Sequence, residues 1–318
     1  MYQSYHTDSD GKIVVDEKDQ ITDWLHVAKS TDEEIEQLSK KFHFPKDFLT
    51  SVKDPDEVAR QEKLGMDPAK EPNLIVFNYP YKETNELGYD EYITIPLAII
   101  LTEHTIITTA EKTPFFIDKM IRNQTDNPIN TKNPEQFVLE VAWQISSLYI
   151  FYLKEIVKKT EAMEQQLTRS TENEQLFALM SLQKSLVYFN SSIEASHPIF
   201  NELKEIEVFT QHPENRSLLH DVIVENRQAE VMIKETNQLL TQISAVFSSV
   251  ISNNLNNIMK FLTSITIVLT IPTIIGGLWG MNVNLPIDDT PGAFWIMMFL
   301  IVVVSIFTTW VLKKHNYF

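Results

Sequence analysis

Apolar and polar positions change their period twice along the chain. In the first third, short runs rich in β-branched residues are bounded by turn-like segments, which predicts strands. Lys12-Ile13-Val14-Val15 is one such run, Asn73–Tyr79 another, and Tyr92–Leu101 and Thr105–Thr109 follow, with Glu103-His104 as the hairpin turn between the last two. Thr31 before three consecutive acids predicts a capped helix start, with the helix running towards His43. The run Asn123–Pro128 closes this region as a polar loop.

From Pro134 the period becomes helical. Phe137, Val138, Val141, Ala142, Ile145, Leu148, Tyr149, Tyr152, Leu153 and Ile156 recur at steps of three and four. A second helix is expected from Asn173 to Phe209, and Glu214-Asn215 opens a third. After it no proline or glycine occurs before Pro272. One helix from about Arg216 into a membrane would be roughly 80–90 Å long, too long for a small globule, so it reads as a stalk.

The last period is unbroken apolarity. Phe261–Leu278 and Ala293–Leu312 carry no charge. Each is near the roughly 20 residues that cross a hydrocarbon core. Trp279, Trp295 and Trp310 stand near their ends, as interfacial tryptophans do. Lys260 precedes the pair, Lys313-Lys314 follows it, and the connecting loop holds Asp288 and Asp289 without a cation. The positive-inside rule then puts both termini in the cytoplasm and the loop outside. The first span is also marked by hydroxyls. Asn256, Met259, Leu262, Thr266, Thr270, Thr273 and Gly277 follow at steps of three or four and share one face. Such a stripe fits hydrogen-bonded glue between helices or the wall of a pore, and spacing does not choose between them. Four of seven glycines fall from Gly276 to Gly292. Gly276 and Gly277 would allow close helix approach, and Gly280 would let the backbone leave the helix.

Composition narrows the function. The chain has 318 residues, 43% of them hydrophobic, and a net charge of −16. The acidic excess argues against a nucleic-acid partner, which needs a basic patch, and fits attraction of cations. With no cysteine, disulfides and thiolate zinc sites are excluded. The eight histidines form no metal-ligand spacing, no phosphate-binding glycine loop is present, and no nucleophile, base and stabiliser assemble into an enzyme site. The N-terminus lacks a signal-peptide pattern, so the long charged part is expected to stay in the cytoplasm.

Gly280-Met281-Asn282, directly after the first of two C-terminal spans and followed by a basic tail, resembles the CorA family of divalent-cation channels. The resemblance implies an α+β cytosolic domain (1–130), a long helical region with the stalk (131–259), and a transmembrane hairpin (260–318). In that hairpin the spans cover about 261–279 and 293–312, assembled with other copies into a funnel-shaped homopentamer in the cell membrane. It implies a magnesium channel, with cobalt or nickel as further cargo, in which the stripe lines the pore. Gly280, Met281 and Asn282 would be the filter, Asn256 an inner polar ring, and Met259 with Leu262 an apolar gate. A ring of neutral carboxamides contacts the hydration shell without stripping it, which suits an ion that gives up water reluctantly. Asp288 and Asp289 would concentrate cations at the outer mouth. Asp221 matches the family's regulatory magnesium acid, and Asp54 or Asp56 is the nearest stand-in for its partner, because the family's usual acid pair is replaced by Thr50-Ser51. Relatives that carry zinc commonly have Gly-Ile-Asn at the turn, so Met281 favours magnesium. A membrane-tethered interaction module without transport is the reading from another class.

Overall fold

The computed structural model describes residues 2–16, 22–125, 128–167, 173–281, 291–315 and 317. They form two compact units, 1–243 and 244–318. In chain order the elements are β1 (Tyr2–Thr7), β2 (Ile13–Val15), β3 (Trp24–Ala28), α1 (Asp32–Phe42), α2 (Asp47–Thr50), β4 (Arg60–Glu62), β5 (Asn73–Thr84), β6 (Asp90–Leu101), β7 (Ile106–Ala110), α3 (Phe115–Ile121), α4 (Pro134–Leu167), α5 (Asn173–Glu205), α6 (Glu207–Thr210), α7 (Pro213–Trp279) and α8 (Ala293–Lys314).

The first unit is built on a seven-stranded mixed sheet in the order β2-β1-β3-β7-β6-β5-β4. Among the described strands only β3 and β7 pair in parallel. The long β5–β6 ladder runs antiparallel from Asn73↔Leu101 to Thr84↔Asp90. Both faces of the central strands are covered, which is why they read as continuous apolar runs. Leu74, Val76, Ala98, Ile100, Leu25, Val27 and Ile107 pack with Ile35, Leu38, Phe44, Phe48 and Leu49. On helices α4 and α5, Phe137 meets Trp24, Phe200 stacks on Phe77, and Phe189 meets Tyr92 and Tyr149. Each large apolar side chain removed from water here contributes about 1.5–3 kcal/mol.

Helix α1 starts as its sequence predicts. Thr31 and Glu34 form a reciprocal capping box, Oγ1 of Thr31 accepting the Glu34 N–H at 3.2 Å and Oε2 of Glu34 accepting the Thr31 N–H at 3.0 Å. That backbone bond lowers the Glu34 pKa. His43 ends the helix in the left-handed conformation at φ 58°.

Two boundaries differ from the sequence pattern. Helix α5 stops at Glu205 rather than running to Phe209, because Ile206 turns extended at φ −85°, ψ 117°. The Ile206 side chain closes over Gly65, where a Cβ would lie 3.3 Å from it. Helix α7 opens at Pro213, a few residues before Arg216. Proline suits a first helical position, where its missing N–H has no helical partner. Pro272 sits inside α7 without ending it.

Among the described residues the outer edge of β5 is paired with β4 only over Leu74–Val76. β4 begins at Arg60, opposite Val76, and Pro80 and Pro96 bring no N–H to the neighbouring ladder. There the Asn78 carbonyl accepts the Tyr149 hydroxyl at 2.9 Å. Tyr149 Oη also lies 2.6 Å from Ser192 Oγ.

Candidate ion pathway

Among the described residues two helices, α7 and α8, are long and apolar enough to cross a membrane. A core helix of a soluble protein would be mostly buried. Here none of the α8 residues is buried, and Ile267, Leu269, Ile274, Phe299 and Ile306 all face outward. An outward apolar surface of that kind suits hydrocarbon rather than water.

The stripe singled out in the sequence lies on one uninterrupted helix. Asn256, Met259, Leu262, Thr266, Thr270, Thr273 and Gly277 all belong to α7 and all are exposed. At about 100° per residue they fall within an arc of roughly 120°. The hydroxyls are used in a consistent way. Thr266 donates to the Leu262 carbonyl at 2.9 Å, Thr270 to that of Thr266 at 2.7 Å, and Thr273 to that of Leu269 at 3.2 Å. Each proton stays with its own helix, and each oxygen keeps both lone pairs for outside donors. The face is therefore a column of acceptors without formal charge, able to receive hydrogen bonds from water around a cation.

Ser264 is in the same span but off that face, and it is fully buried at 0% exposure. Its Oγ lies 2.8 Å from the Lys260 carbonyl and 3.1 Å from the Tyr317 carbonyl in the tail. The sequence marks Ser264 only as one of several hydroxyls, and nothing in the spacing signals this contact with the tail.

Helix α7 ends at Trp279, directly before Gly280. Gly276 and Gly277 meet nothing within 4 Å, so no part of the described chain uses the close approach they permit. Gly280 continues the last turn, donating its N–H to the Gly276 carbonyl at 3.0 Å, and is not left-handed. A Cβ there would lie 3.4 Å from that same carbonyl oxygen. The left-handed glycine is Gly292, at φ 101°, the residue before α8. Met281 is exposed after Gly280, while Asn282, Asp288 and Asp289 lie outside the described residues.

In the first unit, Asp221 is exposed on α7 and lines a cleft of about 270 Å³ with Gln136, Glu140, Glu214 and Ser217. Glu140 is buried there, its Oε1 accepting from Gln144 at 3.1 Å. Asp54 is not part of this cleft. Its carboxylate accepts the Asp56 N–H at 3.0 Å and its carbonyl the Glu57 N–H at 3.2 Å, so it shapes a turn. Among the described residues no three His, Asp or Glu side chains of the one chain form a metal-holding group.

Comparison with known proteins gives a consistent result. The family described as "CorA-like Mg2+ transporter protein" matches residues 19–314. The cobalt/magnesium transport protein CorA of Methanocaldococcus jannaschii is 24% identical over 318 residues, covering 97% of each chain. The complete structure of the CorA magnesium transporter from that organism superposes with a TM-score of 0.78 at 21% identity, over 100% of this chain and 99% of the other. The ZntB cytoplasmic domain of Vibrio parahaemolyticus superposes with a TM-score of 0.57 at 13% identity, over 80% of this chain and 97% of that domain.

Proposed function

Because the chain belongs to the family of CorA-like Mg2+ transporter proteins, we propose that it carries hydrated Mg2+ passively into the cell through a pore made where the α7 helices of several copies meet. The observation that carries this reading is the hydroxyl column. Thr266, Thr270 and Thr273 each donate inward to their own helix and present acceptors outward. Glue between identical helices needs donors as well as acceptors, and these threonines have none left to offer. Water in a hydration shell supplies donors only, directed away from the ion, and matches the column.

In this reading residues 1–130 and 131–259 stand in the cytoplasm and 260–318 in the membrane, with both termini inside and five copies around the pore. Asn282 forms the outer filter with Gly280 and Met281, and Asp288 and Asp289 raise the local cation concentration at the mouth. Asn256 forms an inner ring. Met259 and Leu262, exposed and apolar on the same face, close the path by dewetting when the helices draw together. The driving force is the membrane potential. A divalent ion gains about 4.6 kcal/mol per 100 mV, so no nucleotide is required.

Closure is assigned to cytosolic Mg2+ bridging acids of neighbouring copies, with Asp221 as one of them and Asp54 or Asp56 as the partner across the interface. Losing that ion leaves like charges opposed and favours the open state. The relative named as a cobalt/magnesium transport protein makes Co2+ a second cargo, and Ni2+ follows from the same size and hydration. Zn2+ is the alternative ion, disfavoured by Met281.

The reading is tested by ion influx into liposomes bearing the full chain, with Mg2+, Co2+, Ni2+ and Zn2+ in competition under an inside-negative potential. Potential-dependent Mg2+ influx that Asn282→Ala abolishes supports it. Influx of Zn2+ that Mg2+ does not compete would replace the ion, and absence of any influx would replace the function. Asp221→Ala is expected to keep flux high at internal Mg2+ that closes the parent, and an unchanged dose response would remove Asp221 from the sensor.

A further inference from the structure

Three cations mark one end of the second unit, Lys260 on α7 and Lys313 and Lys314 at the close of α8. The Ser264 hydroxyl brings them to a common level. Its Oγ lies 2.8 Å from the Lys260 carbonyl and 3.1 Å from the Tyr317 carbonyl, and Tyr317 donates its N–H to the Leu312 carbonyl at 3.1 Å. The turn of α7 that carries Lys260 therefore rests against the tail that follows the two lysines. Lys260 is about 40° round the helix from Ser264 and lies outside the hydroxyl stripe.

No acid of this unit answers these charges. The sequence has no Asp or Glu from 236 to 287 or after Asp289, and Asp288 and Asp289 belong to the loop that joins the far ends of the two spans. Beside the lysines, α8 carries an apolar ridge. Phe299, Val303, Phe307, Trp310 and Lys314 fall within an arc of about 80°, and the four apolar side chains are exposed. The Trp310 ring stacks on Phe307 at 6.2 Å, and Lys314 Nζ stands 5.4 Å from the Trp310 centroid. A tryptophan with a cation at the end of a span sits at headgroup depth.

The ligand must bring negative charge to that depth and hydrocarbon to the ridge. A soluble anion meets the lysines and leaves the ridge bare. A zwitterionic phospholipid covers the ridge but brings its own cation towards the lysines. An anionic phospholipid meets both demands.

We propose that this end of the hairpin binds an anionic phospholipid, its phosphate shared between Lys260 of α7 and Lys313 and Lys314 of α8, and one acyl chain lying along Phe307, Val303 and Phe299. The bound lipid ties α7 to α8 at that end. The assignment rests on α7 and α8 being membrane spans and not on which ion is carried.

The test reconstitutes the full chain in phosphatidylcholine vesicles with a trace of spin-labelled phosphatidylglycerol or spin-labelled phosphatidylcholine. The motionally restricted fraction of each lipid is read by electron paramagnetic resonance. The parent is expected to prefer phosphatidylglycerol at least threefold. Lys260→Gln alone and the double variant Lys313→Gln, Lys314→Gln are each expected to bring the ratio close to one, because they share one phosphate. Lys314→Arg and Lys234→Gln, the latter in the first unit, are expected to keep the preference. Equal association of the two lipids with the parent would overturn the proposal. A preference unchanged in Lys260→Gln would remove α7 from the site, and a graded loss that adds up lysine by lysine would overturn the shared phosphate. A chain that fails to enter the vesicles at all would overturn instead the reading of α7 and α8 as spans.

Discussion

Ser264 in the first span and Tyr317 in the tail are joined by a hydrogen bond, Ser264 Oγ lying 3.1 Å from the Tyr317 carbonyl. The same hydroxyl lies 2.8 Å from the Lys260 carbonyl. Tyr317 in turn donates its N–H to the Leu312 carbonyl at 3.1 Å, so the tail folds back on α8 while it meets α7. Side-chain hydrogen bonds between membrane helices average about 0.6 kcal/mol. Ser264→Ala is therefore expected to leave the fold intact, to lower stability by about 0.5–1 kcal/mol, and to loosen the tail. Carboxypeptidase digestion of the protein in nanodiscs reads this directly. Faster trimming in the variant is expected, and an unchanged rate would show that the contact does not hold the tail.

Tyr149 carries a larger load in the first unit. Its buried hydroxyl serves both the Asn78 carbonyl and Ser192 Oγ, and burial pushes its pKa up. Tyr149→Phe keeps the ring against Phe189 but leaves two buried polar groups short of a partner. A loss of about 1–3 kcal/mol is expected from urea unfolding. A loss below a few tenths would mean that the edge of β5 satisfies itself.

His26 makes the stability of this unit depend on pH. It is buried between Thr108, 2.9 Å from Nδ1, and Thr113, 3.1 Å from Nε2, and burial lowers its pKa from 6.5 to about 4. The fold holds the neutral ring, whereas the unfolded chain takes up a proton near pH 6.5. Stability from the neutral ring is thus complete above that pH and is lost as pH falls towards 4, by up to about 3 kcal/mol. His26→Asn does not titrate. Its deficit relative to the parent is expected to shrink by about 2 kcal/mol between pH 7 and pH 4.5 in urea unfolding. A deficit that stays constant would contradict the assignment.

The sequence was most legible where one local rule dominated. The capping box at Thr31 and Glu34, the apolar run of β6 and the two uncharged spans all follow from neighbours within a few residues. β1 carries no strand signal of its own because Tyr2–Thr7 is mostly polar, and its burial depends on partners far away, such as Thr7 Oγ1 lying 2.8 Å from Thr131 Oγ1. β3 is only five residues long and finds its parallel neighbour β7 more than seventy residues later. The end of α5 has no proline or glycine to announce it and is set by Ile206 over Gly65. In the candidate pathway, spacing placed the stripe on one face, but the inward donation of its threonines is a matter of rotamers.

The central claim is that the hydroxyl face of α7 lines the path of the ion. The natural absence of cysteine permits a direct test by Mg2+ influx into liposomes before and after a charged, membrane-impermeant thiol reagent. Thr270→Cys lies on the stripe, and Ile267→Cys, exposed on the same span, lies about 60° round the helix from Thr270 and just outside the stripe. The account predicts that the reagent blocks influx through Thr270→Cys and leaves both Ile267→Cys and the cysteine-free parent unaffected. Unblocked influx through Thr270→Cys carrying the attached reagent, or equal block at both positions, would contradict it.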